Sequence, residues 1–133
     1  GGLVDKIVKQ LEDAGSSVVC FENCVGTKNF DMLVDEDKEP IDAIAERYLN
    51  IPCSIMTPND GRMDRIKEYI KDYSVDGVVD VTLTACHTYA IETEKVRRAV
   101  EGCGKSYLAI ETNYSNSDSG QLKTRLEAFV EML

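Results

Sequence analysis

The chain has 133 residues, of which 43% are hydrophobic and 29% charged, and a formal net charge of −9. That is the size and composition of one globular domain able to bury a core without disulfide staples. The acidic balance and the lack of a basic patch exclude a nucleic-acid partner, because a phosphate backbone selects clustered Lys and Arg. With no apolar run of membrane-spanning length and no legible signal peptide, no membrane partner is expected and the location expected is cytoplasmic.

Apolar residues at Leu3, Val4, Ile7, Val8 and Leu11 share one helical face, and Gly15 is a natural stop. Ser17–Phe21 reads as a short buried strand, followed by a loop over Glu22–Gly26. Pro40 opens a second helix whose inner face should carry Ile41, Ile44, Ala45, Tyr48 and Leu49, and Ile51 ends it because it precedes Pro52. A loop over Asn50–Pro58 leads to a third helix, capped by Asn59 or Asp60, with Met63, Ile66, Ile70 and Tyr73 facing inward. Asp76-Gly77 turns into a β-branched strand over Val78–Leu83. A helix from Thr88 to Glu101 stops at Gly102, and Tyr107–Ile110 forms a third strand. Asn113–Gly120 is a polar loop, and Gln121–Leu133 is a last helix with Leu122, Leu126, Phe129, Val130 and Leu133 facing in.

Strands alternating with helices predict a parallel sheet covered on both faces, an α/β domain of three layers. Doubly wound domains begin with a strand, and this pattern begins with a helix. In a flavodoxin-like order the first strand is central. The expectation is therefore one flavodoxin-like α/β/α domain over residues 1–133, with its first strand missing from the chain. Such a gap invites a homodimer or a swapped partner.

Ligands of open parallel sheets bind beyond the carboxyl ends of the strands. Three loops should meet there: Glu22–Gly26, Thr84–Tyr89 and Glu111–Ser115, with Cys53 on the long loop before the third helix. The five cysteines are Cys20, Cys24, Cys53, Cys86 and Cys103, an odd number without a secretory context, so a disulfide framework is not expected. Any one of them alone reads as a small packing residue. Cys20 fits that role inside an apolar strand, and Cys103 sits between two glycines as a surface thiol. Cys24, Cys53 and Cys86 instead converge on the ligand edge, where a soft metal or an iron–sulfur cluster suits three thiolates. Cys86 would meet a helix N-terminus, which favours the thiolate. His87, the single histidine, either orients its helix or sits behind a cluster as a hydrogen-bond partner. Glu22, Glu92 and Glu111 could move protons, although such residues more often fix loops. No phosphate loop, dinucleotide fingerprint, zinc-helix motif or nucleophile elbow is present.

Several strings occur together in a telling order. They are Phe21-Glu22-Asn23-Cys24-Val25-Gly26-Thr27-Lys28, Pro52-Cys53-Ser54, Thr57-Pro58-Asn59-Asp60-Gly61-Arg62 and Asp76-Gly77-Val78-Val79-Asp80. Ala85-Cys86-His87-Thr88-Tyr89 and Ile110-Glu111-Thr112-Asn113-Tyr114-Ser115 follow, and the chain closes on Gly120-Gln121-Leu122, Thr124-Arg125 and Ala128-Phe129. Across its whole length the chain resembles the C-terminal domain of the 2-hydroxyglutaryl-CoA dehydratase D-component family, which includes benzoyl-CoA reductase subunits. The Ala-Cys-His-Thr-Tyr string and the ending look most like the double-cubane cluster reductases of that group.

The resemblance implies a flavodoxin-like domain of a longer, oxygen-sensitive enzyme. It implies an iron–sulfur cluster, [4Fe-4S] or double-cubane, held between this domain and an N-terminal domain of the same enzyme, so that half of the cage lies outside this chain. An ATP-hydrolysing activator would donate low-potential electrons for a small-molecule substrate. Cys86, then Cys24, then Cys53 are the candidate ligands, with His87 and Glu111 behind them and no catalytic residue assigned. In relatives a strand ending in Gly-Cys-Pro precedes the position of Gly1, in line with the missing strand. Asn113 departs from the Asp expected in the Glu-Thr-Asp-Tyr-Ser pattern, which weakens an acid–base role for that loop. The leading expectation is a domain of an ATP-dependent reductase. The alternatives are a domain of a 2-hydroxyacyl-CoA dehydratase subunit and a metal-free flavodoxin-like interaction module.

Overall fold

The structure is a computed structural model that describes residues 2–24, 28, 30–56 and 58–133, and side chains from residue 5 onward. Among the described residues seven elements follow one another: α1 (Gly2–Asp13), α2 (Pro40–Leu49), α3 (Asp60–Asp72), β1 (Gly77–Leu83), α4 (His87–Gly102), β2 (Ser106–Thr112) and α5 (Ser119–Val130). β1 and β2 pair in parallel, in register from Gly77 opposite Ser106 to Leu83 opposite Thr112.

Side chains alternate across a strand, so each strand feeds two cores. Val79 and Val81 of β1 and Leu108 and Ile110 of β2 pack with Ile7 and Leu11 of α1 and Leu122 and Leu126 of α5. Val78 and Tyr107 point the other way, to Met63, Ile66 and Ile70 of α3 and Val96 and Val100 of α4. The sheet is thus sandwiched between α1/α5 and α3/α4, the three-layer α/β/α arrangement expected. Ile110, Leu126 and Val100 are fully buried, each contributing about 1.5–3 kcal/mol. At the start of β1, Gly77 lies under the end of the chain: a Cβ there would come within 2.6 Å of Leu133 Cδ2 and 2.7 Å of Phe129 Cζ.

The stretch from Ser17 to Phe21 is not a strand. It has no regular structure: Val18 packs on the α1/α5 core, but the stretch joins no ladder among the described residues. A strand needs a neighbour.

α2 is turned the opposite way from the expectation. Its apolar stripe, Ile41, Ile44, Ala45, Tyr48 and Leu49, faces solvent, and Ala43 and Arg47 are buried instead. Two polar anchors set this orientation. The Glu39 carboxylate caps the helix, accepting from the amides of Ile41 (3.0 Å) and Asp42 (3.1 Å). The buried Arg47 donates from Nε to the Met32 carbonyl at 3.1 Å, as a buried charge requires.

Smaller differences have local causes. Asn59 is the N-cap of α3, in the left-handed region at φ 55°, but its side chain makes no cap bond and is used elsewhere. Tyr73 caps the C-terminus of α3 and is half-exposed. α4 begins one residue earlier than expected, at His87, and runs through Gly102. The left-handed turn falls at Gly104 (φ 71°), where the absence of a Cβ removes the steric penalty. α5 ends at Val130, leaving Leu133 beyond it and half-exposed. Val25, Gly26 and Thr27 of the Cys24 loop, and Thr57, lie outside the described residues, as do the side chains of Leu3 and Val4.

Candidate functional site

The site is built at the carboxyl ends of β1 and β2. The Thr84 amide donates to the Thr112 carbonyl at 2.8 Å, extending the ladder so that the loops leaving both strands start side by side. The chain then reverses at Ala85, which adopts φ 67°, a conformation a residue with a Cβ visits only at an energetic penalty. The Cys86 amide donates to the Leu83 carbonyl (2.8 Å) and the His87 amide to the Ala85 carbonyl (3.1 Å). This tight turn delivers Cys86 as the N-cap of α4, half-buried, with Sγ 3.7 Å from Thr88 Oγ1. Tyr89 follows within the first turn of α4.

Behind the turn lies a buried polar network. Arg62, 3% exposed, donates from Nε (3.1 Å) and Nη2 (2.7 Å) to Glu22 Oε2 and from Nη1 to the Glu92 carboxylate. Lys28, also buried, pairs with Glu22. Asn59 Nδ2 donates to Glu92 Oε1 at 2.6 Å and to the Cys53 carbonyl at 2.8 Å. The Arg62 guanidinium lies over the Tyr89 ring, 4.8 Å from its centroid, and the Tyr89 hydroxyl meets Cys24 Sγ at 3.2 Å. One network therefore ties the Cys24 loop, the Cys53 loop, α3 and the N-terminal turns of α4. Two acids and two bases balance each other there, the condition for keeping charge out of water.

The electrostatics follow from burial and partners. Burial opposes the Arg62 charge, but Glu22 and Glu92 outweigh it and hold its pKa above the ordinary value. Burial first, and then the bond with Cys24, push the Tyr89 phenol above its usual range. In mid-β1, burial raises the Asp80 carboxyl, although the Tyr107 hydroxyl bonds it at 2.6 Å.

On the β2 side, Lys6 of α1 organises the following loop. Its Nζ donates to Thr112 Oγ1 (2.9 Å), the carbonyls of Asn113 (3.2 Å) and Ser115 (2.6 Å), and the Asp118 carboxylate. The bonds from Lys6 and Thr112 hold the Asp118 pKa below the ordinary carboxylate range.

Cys24 and Cys86 are brought to the same end of α4, linked through Tyr89, and Cys53 is joined to that region through its backbone. His87 is exposed and makes no side-chain hydrogen bond among the described residues; the same holds for Glu111. Cys20 is half-buried, and burial pushes its thiol up, in keeping with a packing role. Cys103 is an exposed C-cap of α4. Glu22 and Glu92, two of the three carboxylates weighed as proton carriers or loop anchors, are held in ion pairs with Arg62. Sequence patterns did not single out Arg62, Tyr89, Lys28 or Lys6, and marked Asn59 only as a helix cap. One usable signal existed: Arg62 continues the Ile66–Ile70 stripe at four-residue spacing, and Glu92 continues the Val96–Val100 stripe, so each charge sits on an apolar face.

Among the described residues, no three His, Cys, Asp or Glu side chains are grouped closely enough to hold one metal ion. The candidate donors are thiols presented singly on separate segments. In an iron–sulfur cluster each iron takes its own thiolate, so such a donor set fits a cluster by its chemistry and does not fit a closed zinc site. No helix of the described residues is long and apolar enough to cross a membrane.

The chain is 48% identical over 134 residues to YjiM of Escherichia coli (strain K12), by name a dehydratase subunit, covering 100% of this chain and 35% of that protein. It is 25% identical over 130 residues to the (R)-phenyllactyl-CoA dehydratase beta subunit of Clostridium sporogenes, covering 97% of this chain and 35% of that subunit. The chain thus spans about a third of the length of the curated relatives it matches. Residues 2–133 match the family described as 2-hydroxyglutaryl-CoA dehydratase, D-component, and with that match over nearly every residue the chain belongs to this family.

Proposed function

We propose that the chain is the cluster-bearing α/β domain of a 2-hydroxyacyl-CoA dehydratase-type subunit, with Cys86, Cys24 and Cys53 as thiolate ligands of an iron–sulfur cluster. The observation that carries this reading is the meeting of Cys24 with Tyr89 one turn from Cys86, backed by the buried Glu22–Arg62–Glu92 bridge. The dehydratase names of both relatives support it. When bound, the cluster supplies one-electron chemistry, and the protein sets its access and potential. This chain's residues fix the thiols: Glu92 and Asn59 tie the Cys53 loop to α4, and Glu22 and Arg62 brace the Cys24 loop. The remaining ligands come from the rest of the same polypeptide. An ATP-hydrolysing activator supplies the electrons, a second subunit shares the substrate site, and the location is cytoplasmic.

The test is turnover by the full polypeptide, purified without oxygen and supplied with an ATP-driven electron donor and a 2-hydroxyacyl-CoA. Loss of the elements of water, abolished by Cys86→Ala and retained by Cys103→Ala, supports the reading. Reduction of a small substrate with no action on the acyl-CoA would assign the chain to the reductase branch of the family instead. An iron-free protein with neither activity would leave a metal-free interaction module.

A further inference from the structure

The Tyr89 side chain is held from three sides, and its one polar atom is aimed at a thiol. Its ring lies under the Arg62 guanidinium, which Glu22 and Glu92 lock from both ends. Its backbone is in the first turn of α4, three residues after Cys86, and its carbonyl accepts from Thr93 Oγ1 at 3.3 Å. The ring is half-buried, and the hydroxyl reaches Cys24 Sγ at 3.2 Å across 65 residues of sequence. A solvated tyrosine needs none of this apparatus. A phenol fixed by a buried ion network and directed at a sulfur has a defined donor geometry.

We propose that Tyr89 is a positioning residue for Cys24: it donates a hydrogen bond to the Cys24 sulfur and thereby sets that sulfur's place and the potential of the cluster it binds. The inference rests on Cys24 being a ligand. A thiolate on iron has no proton, so in the loaded protein the hydroxyl is the donor and the sulfur the acceptor. Reduction adds negative charge that the sulfurs share, so a donor to sulfur stabilises the reduced cluster more than the oxidised one and raises its potential. The shift is the difference in this bond's strength between the two redox states, so removing it should move the one-electron equilibrium by up to about tenfold toward the oxidised form.

The experiment compares wild type with Tyr89→Phe and Tyr89→Leu in the full polypeptide, reconstituted anaerobically with iron and sulfide. It reads bound iron, the visible spectrum and the midpoint potential in a redox titration. Tyr89→Phe keeps the ring over Arg62 and loses only the hydroxyl. It should bind wild-type iron with a potential displaced to more negative values by the equivalent of up to about tenfold. Tyr89→Leu should in addition lose iron, because Arg62 loses the ring it stacks on. A Tyr89→Phe potential equal to wild type overturns the assignment. So does full iron in Cys24→Ala, and that outcome also removes Cys24 as a ligand. Iron lost in Cys24→Ala beside an unshifted Tyr89→Phe potential refutes the role of Tyr89 alone.

Discussion

The guanidinium of Arg62 stacks over the ring of Tyr89, 4.8 Å from its centroid, while its nitrogens bond Glu22 and Glu92 on two other segments. One side chain on α3 therefore holds the Cys24 loop, α4 and the ring that reaches the Cys24 sulfur. The candidate site depends on this joint more than on any single cysteine loop.

Replacing Arg62 leaves two carboxylates and Lys28 buried with their charges no longer matched. Arg62→Met should destabilise the protein by about 3–5 kcal/mol, the range for removing one partner of a buried ion pair. Chemical denaturation should show a lower midpoint with an unchanged slope. A loss under about 1 kcal/mol, the value of an exposed pair, would mean the network is solvated.

Asp80 gives a signed pH dependence. Burial raises its folded-state pKa, so between the unfolded and folded values the folded protein holds more protons. The stability this contributes is complete below the ordinary aspartate value of about 3.9 and is lost as pH rises through the folded value. Asp80→Asn cannot ionise and still accepts the Tyr107 hydroxyl. It should match or exceed wild-type stability at neutral pH and compare less well at low pH. Denaturant midpoints across the acid range check this, and parallel curves for the two proteins would contradict it.

Asp118 has the opposite sign. Lys6 and Thr112 depress its folded pKa, so its contribution is present above about pH 4 and disappears as pH falls through the folded value. Asp118→Asn should be less stable than wild type at neutral pH, with the difference closing on acidification. The same loss should appear as faster amide exchange in residues 113–118, because Lys6 bonds the carbonyls of Asn113 and Ser115.

The reversed face of α2 predicts an unusual tolerance. Ile44→Ser and Tyr48→Ser should change stability by about 0.5 kcal/mol or less, since both side chains are exposed. Ala43→Leu should lose about 1–3 kcal/mol by overpacking. The reverse ranking in thermal or denaturant unfolding would restore the inward stripe.

Regular elements were legible because their periods are local. The four-residue spacing in α1, α3 and α5 and the β-branched run of β1 predict both the elements and most of the two cores. The stretch 17–21 has the composition of a strand, but pairing depends on a neighbour that composition does not report. In α2 the stripe shows that the helix has an apolar side; which side packs is decided by Glu39 and Arg47, through bonds that periodicity does not encode. Asn59 has the residue type of a helix cap, but Glu92 and the Cys53 carbonyl compete for its amide across 33 and 6 residues. At the site, the cysteines stood out by chemistry and position. Arg62 and Tyr89 did not, and Glu92 did so only as one of three candidate proton carriers, because a buried ion network is a property of three-dimensional neighbours. His87 and Glu111 stood out by type and position, and both remain exposed.

The central claim is that Cys86, Cys24 and Cys53 bind a cluster, and bound iron measures it most directly. Iron and acid-labile sulfide would be quantified in the anaerobically reconstituted full polypeptide, in wild type and in five single Cys→Ala variants. The account predicts that iron is lost in Cys24→Ala, Cys53→Ala and Cys86→Ala and retained in Cys20→Ala and Cys103→Ala. Full iron in Cys86→Ala, or no iron in wild type, would contradict it.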